Sequence, residues 1–382
     1  MSSFFGLFSS SAPEIGVDLG SASLKLVQAS VEDGAATVSA AAACDVPAEL
    51  WRQPRQRIEF FVDAVRGLMR SADFRGRRIV LGLPASLMYV ERVRLPALDD
   101  ASTAGAIAVE IADKVPFPPT HALIRHLVAG EVYEDNEPRN ELLVLAARRD
   151  FADQLMESAG KARLEVACIL PEPLSVARCF AAASASTSPR AILDFGSSAS
   201  RIYVVAGGRL RFARVVPIGL ETLDAAIAQA IKCDPGAARA LRVEAGQYRP
   251  QPVATASDEA SKPAEPLAPA KPDATSLSGV EAAEVACRGP LARLAQDLRL
   301  SLQYFAHTFG GPPVDRLDFI GGGTSGRRWC MQVATGLGLR AAIADPLGLA
   351  KSGDPVTAAN PGAWCVAAGL SLSGERSIAL AA

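Results

Sequence analysis

The chain has 382 residues, 49% of them hydrophobic, which is enough for two or three hydrophobic cores in a globular protein. A formal net charge of −2 provides no field of one sign that would favour nucleic acid as a partner. Seven cysteines, odd in number and without a CxxC pair, favour reduced thiols in a cytoplasm, and with only three histidines we expect no metal-ligand cluster.

Three strands, a helix and a fourth strand are predicted in the first 84 residues. Residues 14–44 carry the three strands and include, at 16–25, the sequence Gly-Val-Asp-Leu-Gly-Ser-Ala-Ser-Leu-Lys. An amphipathic helix is predicted over 55–69, because apolar side chains recur there at helical spacing. The short apolar run 79–83 is typical of a strand inside a covered sheet. The first layer is therefore βββαβ.

A change of pattern at 85–168 predicts a compact α+β unit inserted into the first half. Its strand, helix, strand and helix are predicted at 89–95, 101–114, 142–146 and 150–159. Ser102 or Thr103 is a plausible N-cap of the first helix, and Gly160 is a plausible C-cap of the second. A further helix over 174–183 then closes the first half of the chain.

The second half repeats the opening pattern. Residues 191–202 read Ala-Ile-Leu-Asp-Phe-Gly-Ser-Ser-Ala-Ser-Arg-Ile, so that Asp194 stands 176 residues after Asp18 (194 − 18). In each copy a second turn follows at a similar distance, at 32–34 in the first and at 206–208 in the second. Two similar hairpins therefore open two similar half-molecules.

The rest of the second half is predicted to be mostly helical. Helices are predicted at 221–231, 235–243, 291–308 and 364–372, and a strand at 317–320. The segment 249–278 is rich in Pro, Ala, Ser and Lys and has almost no large apolar side chains, so we expect a disordered insertion. Gly321–Thr324 follows a strand and offers bare backbone to a flat ring or a phosphate near a helix N-terminus.

The repeated turn has a chemistry that suits phosphate. Gly20 and Gly196 let the backbone approach a ligand closely, and the serine hydroxyl and backbone N–H groups of each turn can bond phosphate oxygens. Asp18 and Asp194, each at a strand end, are placed to hold hydrated Mg²⁺ on that phosphate, and Lys25 adds a positive charge. One serine-rich hairpin alone would be an ordinary turn, but its duplication favours a nucleotide clamped between two equivalent hairpins.

These motifs, in this order and at this separation, resemble the actin-like ATPase superfamily of actin, the Hsp70 nucleotide domain and FtsA. Within it the chain resembles the PilM family, the cytoplasmic actin-like proteins of type IV pilus assembly. The resemblance is carried by residues 5–8, 15–25, 110–118, 145–149, 172–178, 194–196, 298–305 and 320–324. It implies an α/β protein with a duplicated actin-like (ribonuclease H-like) ATPase fold and an inserted α+β subdomain, called 1C.

The same resemblance implies a division into subdomains and a nucleotide between 1A and 2A. The parts are 1A at 1–84, 1C at 85–168, the return of 1A at 169–189, 2A at 190–219, 2B at 220–310 with the insertion at about 249–278, the second part of 2A at 311–345, and a C-terminal helix returning to 1A at 346–382. The implied nucleotide-binding residues are Asp18, Gly20, Ser21, Ser23, Lys25, Gly196, Ser197, Ser198, Arg242, Gly321, Gly322, Gly323 and Thr324, with Asp18 and Asp194 as metal ligands. The family usually has an acid and a lysine for the ribose where this chain has Arg239 and Arg242.

Three functions are compatible with this resemblance. The first is an ATP- and Mg²⁺-binding scaffold of the pilus inner-membrane platform; the others are an active ATPase or filament former, and a nucleotide-free structural subunit. Hydrolysis needs a group that orients water in line with the γ-phosphate. Asp194 is the better catalytic candidate, because Glu110 reads equally well as an exposed helical glutamate.

The resemblance also implies a partner. A PilN-like inner-membrane protein would insert its N-terminal cytoplasmic peptide between 1A and 1C, alongside other platform proteins. No stretch of the sequence approaches the roughly 20 apolar residues of a membrane span, so we expect a cytoplasmic protein, peripheral at the inner membrane. The strand 89–95, in which Arg92 and Arg94 alternate with apolar side chains, could receive an extended peptide, or its arginines could simply solvate an outer face.

Overall fold

The computed structural model describes residues 12–32, 35–183, 188–247, 278–351 and 354–373. The segment 5–8, most of the turn at 32–34 and residues 249–277 of the predicted insertion lie outside the described residues. The strands are β1 (Ile15–Leu19), β2 (Ser23–Glu32), β3 (Ala35–Asp45), β4 (Arg78–Leu83), β5 (Met88–Leu95), β6 (Ala122–Glu134), β7 (Glu137–Arg148), β8 (Glu165–Pro171), β9 (Arg190–Phe195), β10 (Ser200–Ala206), β11 (Arg209–Val216), β12 (Arg316–Ile320) and β13 (Arg340–Ile343).

The helices lie between these strands and after them. They are α1 (Pro54–Ser71), α2 (Asp100–Ile111), α3 (Arg149–Lys161), α4 (Glu172–Ala183), α5 (Leu220–Ile231), α6 (Pro235–Gly246), α7 (Gly279–Phe309), α8 (Arg327–Leu337), α9 (Pro355–Ala358) and α10 (Cys365–Ser371). The predicted strands of both halves and the predicted helices over 55–69, 174–183, 221–231 and 235–243 are confirmed to within a few residues.

Two five-stranded sheets confirm the duplication. The strand orders are β3-β2-β1-β4-β8 and β11-β10-β9-β12-β13. In each sheet two antiparallel pairings form the opening hairpins, and two parallel pairings extend the sheet on the other side. The turn between β10 and β11 lies at Gly207 and Gly208, which both have positive φ angles, as such tight turns require.

A third sheet, in the order β5-β7-β6, forms the core of the predicted inserted unit. The strand β6 is absent from the sequence prediction. The helix α3 packs against α1, and β8 pairs with β4, so residues 149–168 of the predicted insertion lie on the first sheet. The division into named subdomains stays a prediction.

Two predicted helix caps are wrong. The N-cap of α2 is Asp99, whose Oδ1 accepts the Ser102 N–H at 2.9 Å, because a carboxylate just before the first turn satisfies a free backbone donor. The C-cap of α3 is Ala162 rather than Gly160, and the left-handed turn comes at Arg163, with a φ of 60°. The helix α7 begins at Gly279, well before the predicted start, and continues through a proline.

The arginines of β5 attach the inserted sheet to the second half. Arg94 Nε donates to the buried Glu141 carboxylate at 2.7 Å, and the Tyr304 hydroxyl of α7 donates to the same carboxylate at 2.8 Å. The Arg92 guanidinium lies 3.7 Å from the centroid of the Tyr304 ring. Arg92 is therefore engaged with α7, whereas Arg94 stays partly exposed, and a peptide site along this strand stays a prediction.

One hydrophobic core is shared by the two halves. It joins side chains of the first sheet, such as Val27 and Val80, to Ile192 and Tyr203 of the second. The helices α4 and α10 contribute to this core from between the sheets. Close packing between these two helices depends on Gly369, where a Cβ atom would lie 1.9 Å from the Ser175 carbonyl oxygen.

We expect Gly369→Ala to destabilise the protein by about 1–3 kcal/mol, because the added methyl group meets backbone that cannot move aside. The matched change Gly67→Ala, on an α1 face with nothing within 4 Å of the new Cβ, should stabilise it by about 0.5–1 kcal/mol. Urea denaturation of both variants measures the difference. Equal effects of the two changes would contradict this packing of α4 against α10.

Candidate functional site

A cavity of about 260 Å³ lies between the two halves, at the turns that open each sheet. Eleven of the predicted residues line it, namely Asp18, Gly20, Ser21, Ser23, Lys25, Asp194, Gly196, Ser197, Arg242, Gly321 and Gly322. The duplicated turns therefore face a common space, as the prediction of a two-sided clamp requires.

Three predicted residues do not line this cavity. Ser198 lies at its edge, where its hydroxyl is 3.3 Å from the Ser21 hydroxyl of the opposite turn. Gly323 packs on Phe195, since a Cβ atom at this position would lie 2.7 Å from the ring. Thr324 is buried and donates its hydroxyl proton to the Gly321 carbonyl at 2.6 Å. The last two residues shape the glycine turn and are not placed to contact a ligand.

The two hairpins place equivalent side chains opposite each other. In the first hairpin Asp18 is paired across the strands with Lys25, and in the second Asp194 is paired with Arg201. Each acid is thus the cross-strand neighbour of a base seven residues later (25 − 18 and 201 − 194). Lys25 was predicted from the sequence and Arg201 was not, although Arg201 occupies the equivalent position in the second copy of the motif.

In the first hairpin the Lys25 ammonium group faces the turn. Lys25 Nζ donates to Ser23 Oγ at 2.6 Å and lies 3.5 Å from Asp18 Oδ2. Burial raises the pKa of the Asp18 carboxyl, Lys25 opposes that shift, and the negative charge of Asp194 adds to it. Gly20 is required where the turn closes, because a Cβ atom there would lie 2.9 Å from the Ser23 carbonyl oxygen.

In the second hairpin Arg201 belongs to a buried cluster with two acids. Its Nη1 donates to Asp194 Oδ2 at 2.9 Å, and its Nε lies 3.6 Å from Glu172 Oε1. All three side chains are at least 90% buried. Glu172 begins α4 and so comes from the first half, which makes this cluster a link between the halves at the cavity floor. The sequence carried no signal for Glu172 beyond its place in a motif of the resembled family.

Glu172 is held by neutral donors as well. The Ala85 N–H donates to Oε2 at 2.9 Å, and the Tyr203 hydroxyl donates to Oε1 at 3.2 Å. Burial raises the pKa of the Glu172 carboxyl to about 8; Arg201 opposes this shift and Asp194 adds to it. At neutral pH this carboxyl is therefore mostly protonated, and a protonated carboxyl cannot take a proton from an attacking water.

Two contacts cross the mouth of the cavity. The Arg239 guanidinium of α6 lies 4.7 Å from the centroid of the Trp51 ring, which follows β3 of the first half. Arg52 Nε donates to Glu221 Oε2 of α5 at 2.8 Å. The Arg52 side chain is 80% exposed, so this ion pair is a weak, largely solvated interaction.

In the predicted ribose region a basic side chain, Arg242, forms an ion pair with an acidic one, Asp224. Arg242 Nε donates to Asp224 Oδ1 at 2.5 Å, and both side chains are nearly buried. Burial raises the pKa of Asp224, and Arg242 opposes the shift. A sugar hydroxyl here would meet a neutralised pair with spare donors on the guanidinium. Glu110 is exposed on α2 and pairs with Lys114 at 3.8 Å, as the helical interpretation predicted.

The carboxylates of the cavity do not fit a hydrated Mg²⁺ ion. Asp194 gives one oxygen to Arg201, and its other oxygen lies so close to Gly321 that a Cβ there would be 2.1 Å away. Both oxygens of Glu172 accept hydrogen bonds, and Asp18 faces Lys25. Over the part of the chain that the structure describes, no three or more His, Cys, Asp or Glu residues form a metal-binding group. The Mg²⁺ ligands predicted at Asp18 and Asp194 are therefore already engaged by bases.

Comparison with known proteins identifies a family. The family model of the type IV pilus assembly protein PilM matches residues 16–247, which is more than half of the chain. A search of curated proteins finds no match. Within the described residues, no helix is long and apolar enough to cross a membrane.

Two solved structures show the same fold. The chain is similar to the PilM-PilN type IV pilus biogenesis complex, with 20% identity and a TM-score of 0.73 over 96% of this chain and 99% of that one. It is also similar to the ethanolamine utilization protein EutJ from Carboxydothermus hydrogenoformans, with 12% identity and a TM-score of 0.52 over 94% and 89% of the two chains. At such identities the likeness shows the fold alone, and it confirms the predicted duplicated actin-like architecture.

The raised pKa of Glu172 predicts a pH-dependent stability. Between its unfolded pKa, near 4.5, and about 8, the native state holds a proton that the unfolded state has released, so the free energy of unfolding falls as pH rises through this window. Glu172→Gln keeps an acceptor and removes the titration. We expect the loss of stability between pH 5 and pH 8.5 to shrink by at least about 1 kcal/mol.

Urea denaturation at both pH values measures this change. Glu110→Gln, at an exposed glutamate, is the matched control and should leave the pH dependence unchanged. An unchanged pH dependence in Glu172→Gln would contradict the assignment of a buried, protonated carboxyl at the cavity floor.

Proposed function

Since the chain belongs to the PilM family of type IV pilus assembly proteins, we propose that it is an ATP-binding, actin-like scaffold of the pilus inner-membrane platform. In this role it binds the cytoplasmic tail of a PilN-like membrane protein. The chain is then cytoplasmic and reaches the inner membrane through that partner. The solved complex of PilM with PilN supports the choice of partner class.

The observation that carries the nucleotide proposal is the pair of facing hairpins. Turns at 20–23 and 196–198 approach each other across one cavity, with a base beside each strand-end acid. Backbone N–H groups and serine hydroxyls of such turns suit phosphate oxygens. Gly321 and Gly322 line the same cavity, and nothing lies within 4 Å of a Cβ at Gly322, which leaves space for a flat ring.

The cavity favours binding over rapid hydrolysis. Asp194, the predicted catalytic residue, accepts a hydrogen bond from Arg201 at Oδ2, at 2.9 Å. Glu172 is mostly protonated at neutral pH. Since Asp194 is paired with Arg201 and Glu172 is mostly protonated, we expect the nucleotide to stabilise a closed scaffold and turnover to be slow.

The inserted unit, β5 to β7 with α2, supports the partner proposal. It carries four of the ten large hydrophobic side chains that are exposed among the described residues, namely Leu98, Val109, Val128 and Tyr133. Its edge strand β5 pairs only with β7 among the described strands. An extended peptide can add to such an edge while its apolar side chains cover neighbouring apolar surface.

Nucleotide binding predicts a shift of thermal unfolding. ATP at about 100 times its Kd should add about 2.7 kcal/mol to the free energy of unfolding and raise the melting temperature. Gly322→Phe should abolish the shift, because nothing lies within 4 Å of a Cβ at Gly322 and the ring would enter the cavity without displacing protein atoms.

Gly289→Phe is the matched control for this experiment. Gly289 lies on α7, also with open space around a new Cβ, and it does not line the cavity. This variant should keep the full shift. A wild-type melting curve that millimolar ATP leaves unchanged would favour a nucleotide-free scaffold instead.

Partner binding predicts that the inserted unit carries the contact. A fluorescently labelled peptide with the N-terminal cytoplasmic sequence of the PilN-like protein should bind the full chain in an anisotropy titration. Replacing Leu98, Val109 and Tyr133 together by Glu should weaken binding at least about tenfold, since each exposed apolar side chain covered by a partner contributes on the order of 1 kcal/mol.

The matched variant replaces Val285, Leu300 and Met331 by Glu. These side chains are similarly exposed but lie on α7 and α8 of the second half. It should bind the peptide as the wild type does. Equal weakening by the two triple variants, or no binding to the wild type, would contradict the proposed surface.

A further inference from the structure

The Arg201 guanidinium lies where a bound divalent metal ion would be expected. It lies between Asp194 and Glu172, with 9% of its side chain exposed, and it lines the cavity. One of its donors is committed to Asp194, at 2.9 Å. Its Nε is buried and lies 3.6 Å from Glu172 Oε1, so the guanidinium bridges the two carboxyls.

The charges around this guanidinium are nearly balanced before any ligand enters. Arg201 and Lys25 face the three carboxyls of Asp18, Asp194 and Glu172. A divalent cation placed between the same carboxyls would lie within a few ångströms of a fixed positive charge. It would also compete for oxygens that already accept hydrogen bonds.

We propose that Arg201 replaces the divalent cation in this cavity, so that ATP binds without Mg²⁺. This inference rests on the nucleotide-binding function proposed above. The planar guanidinium lines the cavity and can meet phosphate while it keeps its bond to Asp194. Lys25 supplies the second positive charge from the opposite hairpin.

The equivalence of the hairpins supports the assignment. Arg201 occupies in the second copy the position that Lys25 occupies in the first, so both phosphate-facing acids carry a built-in base. Because the arginine side chain is always protonated, the cavity needs no metal ion to offset the charge of its acids. The two hairpins then hold a polyphosphate by charged side chains and backbone donors alone.

The test measures ATP affinity by isothermal titration calorimetry of the full chain, in excess Mg²⁺ and in EDTA. The wild type should show Kd values within about threefold of each other in the two buffers. Arg201→Gln keeps most of the side-chain volume and removes the charge. Its affinity in EDTA should fall about tenfold or more, and Mg²⁺ should restore part of it, because Asp194 and Glu172 become free to hold a hydrated cation.

Arg209→Gln is the matched control, since Arg209 is an exposed arginine on the adjacent strand β11. It should bind ATP as the wild type does in both buffers. Wild-type binding that requires Mg²⁺ would overturn the inference and leave the nucleotide site standing. Absence of ATP binding in both buffers would overturn the site and the inference together. Because the wild-type comparison needs no variant, a misfolded Arg201→Gln protein would not prevent the decision.

Discussion

The buried ionic cluster of Glu172, Asp194 and Arg201 is the interaction on which the cavity depends. Glu172 comes from the first half, whereas the other two residues belong to neighbouring strands of the second. Three ionisable groups are removed from water here, and this is tolerable only because each has partners, including the Ala85 N–H and the Tyr203 hydroxyl. Removing Asp194 would leave the buried charge of Arg201 uncompensated, a change that typically costs about 3–5 kcal/mol.

This cluster fixes the spacing of the two hairpins at the closed end of the cavity, while the contacts at the cavity entrance are weaker. The shared hydrophobic core, with α4 and α10 between the sheets, holds the halves together beneath the cluster. At the mouth, the Trp51–Arg239 and Arg52–Glu221 contacts are partly exposed and can open at low cost. A buried cluster beneath the cavity, with only weak contacts at its entrance, suits a site that admits a nucleotide and then closes around it.

The sequence predicted what depends on local pattern and on internal repetition. Apolar periodicity placed most strands and helices, and the repeated Asp-x-Gly turn placed eight residues around one cavity. Contacts between segments far apart in the chain were not predictable in this way. Glu172 meets Arg201 only because α4 packs under the second sheet, and Glu141 meets Tyr304 only because the inserted sheet lies against α7. The caps of α2 and α3 failed because several residues near each helix end could serve, and local geometry chose among them.

We propose that both hairpins hold one nucleotide at the same time. Hydrogen–deuterium exchange of the full chain, with and without saturating ATP, measures this directly at the backbone amides of the two turns. We expect slower exchange at 19–23 and at 195–199 together, because phosphate contacts and closure protect both turns. Protection of one turn without the other, or of neither, would contradict a nucleotide clamped between two equivalent half-molecules.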